Sequence, residues 1–127
     1  MGVLKLHRKV VDLHPFNEWK LDVFVGGGYK QLNEIFKTRY GLEYDDTDNC
    51  VYSIESGIDS ELKGHKRIVM RLQSFDTAIM VHELLHVLWH GSRWIGYEMK
   101  YDSQEWQACM IEYLYVKCKD RNTYDKE

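Results

Sequence analysis

Trp19, Leu21, Val23 and Val25 alternate with Lys20, Asp22 and Phe24, the two-residue period of a strand. Apolar runs at 3–6 and 10–13 precede it, and glycines 26–28 end it. That glycine run has no following GK[ST] and no dinucleotide spacing, so it reads as a turn. From Tyr29 the period changes: Leu32, Ile35, Phe36 and Arg39–Tyr40 follow helical spacing, and Gly41 stands where a C′ glycine belongs. "DDTDN" (45–49) lacks the glycine and closing glutamate of a calcium loop and reads as a polar turn. Two short runs, 50–56 and 67–73, predict an antiparallel pair with a long connection. In the second, Ile68, Met70 and Leu72 alternate with Arg67, Val69, Arg71 and Gln73. Ser74 is placed to cap a helix that runs through "FDTAIMVHELLHVLWH" to Gly91. A second helix opens near Asp102 or Ser103 and carries "EWQACMIEYLYVKCK"; the polar tail "DRNTYDKE" is expected to fray. Strands, helix, strand pair and two helices make an α+β domain.

Composition adds limits to this outline. The chain has 127 residues, enough for one domain with a core that needs no staples. A net charge of −3 offers no polybasic field for phosphates, so direct nucleic-acid binding is not expected. No run approaches the length of a membrane span, "MGVLKLHRKVVDL" lacks an h-region, and Leu6 breaks the myristoylation pattern after Gly2. Cys50, Cys109 and Cys118 form no CxxC, and Cys109 and Cys118 fall on opposite sides of one helix. Reduced thiols and a cytoplasmic location follow as expectations.

The chemistry concentrates in "VHELLHVLWH" (81–90). On a helix, His82 and His86 lie on one side, one turn apart, and can offer two imidazole nitrogens to one tetrahedral ion. Glu83 lies beside them, placed to take a proton from water. Spacing alone does not decide, because an HExxH match arises in on the order of 2% of shuffled chains of this composition. The surrounding residues add weight. Ile79, Met80, Val81, Leu84, Leu85, Val87, Leu88 and Trp89 make the helix apolar nearly all round, which predicts burial. Buried together, His82, Glu83 and His86 would need a partner, and a metal ion supplies one.

A third ligand must come from beyond the helix. Glu98, Asp102 and Glu105 are the candidates, with Glu105 favoured because an antiparallel return would bring its helix alongside the histidines. Against this, Asp102 and Glu105 also fit a capping box. His90 lies too far along the axis to complete a tetrahedron and reads as a supporting or packing residue.

The two motif helices resemble the ImmA/IrrE family of small zinc metallopeptidases. Phe75, His82, Glu83, Leu84, His86, Leu88 and His90 fit its HELGH-x-L-x-H pattern and apolar lead-in. Glu105, Gln107 and Ala108 fit its following E-x-[EQ]-A helix. The resemblance covers residues 29 to 118 and is concentrated in these helices. Leu85 stands in place of the family's glycine, the N-x-F-A continuation and Leu-Met-Pro ending are absent, and no helix-turn-helix follows. The resemblance implies a small zincin-like domain, with a short antiparallel sheet packed on the HExxH helix and a ligand helix after it. Residues 1–28 would add strands, 29–118 the family-like core and 119–127 a polar tail. It also implies Zn2+ held by His82, His86 and Glu105, Glu83 as catalytic base, and a phage or mobile element as the source.

The resulting expectation is zinc-assisted peptide hydrolysis in a protein partner, such as a transcriptional repressor. Tyr97, Tyr101 and His90 are candidate donors to the oxyanion, and Glu112 could orient a ligating histidine. The strand at 67–73, if at the sheet edge, could pair with an extended peptide. A zinc-stabilised interaction module that cleaves nothing is the alternative; a metal-free domain with structural histidines is the third.

Overall fold

The computed structural model describes residues 5–13, 19–44, 49–54, 66–94 and 104–126. Five strands and three helices are found there: β1 (His7–Asp12), β2 (Trp19–Val25), α1 (Tyr29–Tyr40), β3 (Cys50–Ile54), β4 (Lys66–Leu72), α2 (Thr77–Trp94), α3 (Gln104–Cys118) and β5 (Asp125–Lys126). The strands form one sheet in the order β3-β4-β2-β1-β5. β2 and β4 run parallel at its centre, and every other pairing is antiparallel. The α+β class stands, but the expected antiparallel sheet is mixed. A second correction concerns 67–73: β4 lies between β3 and β2, so the edge beside it is β3.

Alternation along β2 and β4 sorts the core into two layers, because successive side chains of a strand point to opposite faces. Leu21, Val23, Val25, Ile68, Met70 and Leu72 pack against Met80, Leu84 and Val87 of α2 and Leu114 of α3. Phe24 and Val69 on the other face pack against Leu32, Phe36 and Tyr40 of α1. Three charged positions of the two central strands are therefore not solvated. Asp22, Arg67 and Arg71 are all buried under the α1 layer.

Turn chemistry follows the sequence closely in α1. Gly41 adopts φ 68°, and its N–H and that of Leu42 return to the carbonyls of Lys37 and Phe36. Gly26 and Gly27 both take positive φ, the left-handed region a side chain resists, and close the turn from β2 into α1. Their carbonyls accept from Arg71 Nη2 at 3.2 and 3.1 Å.

Helix α2 starts later and ends later than its sequence suggests. Asp76, not Ser74, caps it: Asp76 Oδ1 accepts from the Ile79 N–H at 3.0 Å. The helix then continues through Gly91 to Trp94. The polar tail is likewise not loose. Asp120 caps a short 3-10 turn, Tyr124 is buried and donates its hydroxyl to the Cys118 carbonyl, and β5 pairs with β1. Among the described residues no helix is long and apolar enough to cross a membrane.

Candidate metal centre

α2 buries one side only. Met80, Leu84 and Val87 pack in the core with the central strands and Leu88 is buried, whereas Val81, Leu85 and Trp89 are 40%, 46% and 51% exposed. His82 and His86 lie on the outer face as well. The expected burial of all three motif residues is thus corrected. Only Glu83 is buried; the His82 side chain keeps 69% of its surface in contact with solvent. Solvated imidazoles carry no desolvation penalty, so burial no longer argues that the histidines require a metal.

What the helix does provide is their mutual geometry. The two rings stand 5.2 Å apart between centroids at an interplanar angle of 65°. Glu83 Oε1 is 3.9 Å from His82 Nε2. Four-residue spacing on a continuous helix produces this arrangement without further support, since residues one turn apart share a face. His90, one turn on, is half-buried. Burial first, then the positive charge of Arg93 and the neighbouring His86, lowers its pKa below the usual histidine value. It therefore stays neutral around pH 7, able to donate or accept a hydrogen bond without adding charge.

Glu105 occupies the first turn of α3, which packs against α2, and is exposed. Its Oε1 is 3.6 Å from Cys109 Sγ, four residues on. Glu112 is exposed on the same helix. Among the described residues, no three His, Cys, Asp or Glu side chains come together as a ready metal site. The fold brings His82 and His86 together with Glu83 beside them; Glu105 does not complete the group. Tyr97, Glu98, Tyr101 and Asp102 lie outside the described residues.

An open groove of about 550 Å³ runs between α2 and α3, lined by Val81, Leu85, Leu88, Ala108, Ile111 and Tyr115 among others. The signal was present in "VHELLHVLWH": the helix has more apolar residues than one buried face can use.

No protein-family model, curated protein or solved structure matches this chain. The ImmA/IrrE resemblance therefore rests on its motif residues alone.

Proposed function

We propose that this chain is a zinc-dependent metallopeptidase of the ImmA/IrrE type that hydrolyses a peptide bond in a protein partner, such as a repressor or other regulatory protein. The observation that carries the reading is the His82–His86 pair with the Glu83 carboxylate beside it. The pair fits a metal as two nitrogen donors on one helix face. Glu105, on the helix packed against α2, is the proposed third donor, and it must turn from Cys109 towards the pair. Bound zinc would supply Lewis acidity towards water and the scissile carbonyl.

The remaining steps belong to the protein. Glu83 accepts a proton from the attacking water and delivers it to the leaving amine. Its buried position holds the carboxylate in place beside His82. Neutral His90 is available as a hydrogen-bond donor to developing negative charge, with Tyr97 and Tyr101 as further candidates. β3, at the sheet edge and packed against α2, offers main-chain groups to an extended peptide.

Glu83→Gln tests this reading, because it keeps the shape and removes the base. Cleavage of a peptide library should fall by about 10²–10⁴-fold with zinc content unchanged. Equal cleavage by the variant would remove Glu83 from the mechanism.

A second reading, a zinc-stabilised interaction module without catalysis, is favoured by one observation. Val81, Leu85 and Trp89 leave an apolar stripe exposed beside the histidines, as a binding surface would. The same variant separates the two, since partner binding has no need of a base.

A further inference from the structure

β2 and β4 are parallel neighbours paired from Trp19↔Lys66 to Val25↔Leu72, so both end on the same side of the sheet. The Gly26 N–H still reaches the Leu72 carbonyl at 2.8 Å, and there the two chains part. β2 turns into α1 on one face; β4 turns into α2 on the other. Connections that diverge in this way leave a crevice outside the carboxyl ends of the strands, the place where open sheets bind ligands.

That crevice is present as a cleft of about 180 Å³. Three cationic or ionisable basic side chains line it, Lys5 and His7 from the N-terminal segment and Arg121 from near the other end of the sequence. Among the described residues that line it, none is acidic. The chain as a whole carries −3, so the local positive charge runs against the global balance. The acidic residues that adjoin the cleft in sequence are turned onto amides: Asp76 accepts from Ile79 and Asp120 from Asn122.

Phe75 organises the basic groups. The Arg121 guanidinium sits 4.7 Å from its ring centroid, and the His7 ring meets it edge-on at 5.3 Å. Tyr124, itself buried, braces Phe75 from another side at 5.0 Å. His7 Nδ1 lies 3.1 Å from the Lys5 carbonyl, which fixes that ring in turn. A cation held over an aromatic face is pre-organised, and less ordering is lost when it meets an anion. Ser74 adds a hydroxyl to the lining.

We propose that this cleft is a binding site for a phosphate monoester. Lys5 and Arg121 face its oxygens, His7 and Ser74 complete the hydrogen bonding, and Phe75 with Val25 underlies the ester group. A dianion matches several converging basic groups better than a single carboxylate does, and arginine binds such oxygens in a forked geometry. The site lies ahead of His82 at the start of α2 and does not depend on metal.

The test is a titration of the 15N-labelled full-length protein with phenyl phosphate, inorganic phosphate and benzoate at constant ionic strength. Saturable shifts should centre on Lys5, His7, Gly26, Gln73–Phe75 and Arg121, with a Kd of about 1 mM or tighter for phenyl phosphate. Arg121→Gln and Lys5→Gln should each weaken it by roughly tenfold, while Lys30→Gln, on α1, leaves it unchanged. Inorganic phosphate binding at the same residues would support the phosphoryl group as the recognised element. Benzoate binding as tightly as phenyl phosphate would overturn the assignment to phosphate. Shifts that fail to saturate, or that survive both cleft variants, would overturn the site itself.

Discussion

Arg67 Nη1 donates to Asp22 Oδ1 at 2.9 Å, an ion pair enclosed between the sheet and α1. The other carboxylate oxygen accepts from the Tyr40 hydroxyl and lies 3.5 Å from Arg39 Nε. Burial, then the Asp22 charge, raises the Tyr40 pKa, so the phenol keeps its proton and remains the donor. Asp22 thus joins strands β2 and β4 to α1 through a single carboxylate.

Asp22→Asn keeps the shape but leaves the Arg67 charge buried without its counter-ion. Breaking one side of a buried pair costs about 3–5 kcal/mol, and urea denaturation should show a loss of that size. A loss below about 1 kcal/mol would mean that the network contributes little.

Cys118 gives a pH signature. Burial pushes its thiol up to about 12, against an unfolded value of about 8.5. The folded state therefore favours the protonated thiol. Its contribution to stability is complete below the unfolded value and declines as pH rises towards 12. Between about pH 8.5 and 10 the stability of the wild type should fall with pH, and Cys118→Ala should flatten that slope. Thiol reagents at pH 8 should label exposed Cys109 in the native protein and reach Cys118 only after unfolding.

Gly27→Ala probes the turn that ends β2. The residue has φ +80°, and an added Cβ would stand 3.0 Å from Leu6 Cδ1. Strain and crowding together should cost about 1–2 kcal/mol by equilibrium unfolding. Unchanged stability would show that the turn tolerates a side chain.

Much of this was legible in the sequence for local reasons. The alternation in β2 and β4, the helix ending at Gly41 and the turn at Gly26 each follow from a handful of neighbouring residues. The parallel pairing was not, because alternation gives a strand's faces and not its partner's direction. The buried Asp22–Arg67 pair was not legible either, because only the tertiary packing of α1 encloses it. The tail read as loose because its polar composition hid one anchor, Tyr124. In the candidate site, the histidine pair and Glu83 lie within one helix and were accessible. Their solvent exposure depends on how α2 lies on the sheet, and the position of Glu105 depends on a connection between two helices. Neither is encoded by spacing.

The most direct test of the zinc reading is elemental analysis of freshly prepared, chelator-free protein, alongside His86→Ala and Glu105→Ala. About one zinc per chain is expected in the wild type, with loss of that zinc in both variants. Loss in His86→Ala alone would keep the helix pair and exclude Glu105 as its third ligand. No stoichiometric metal in the wild type, and no uptake when zinc is added, would contradict the metallopeptidase reading and leave "VHELLHVLWH" as an amphipathic helix.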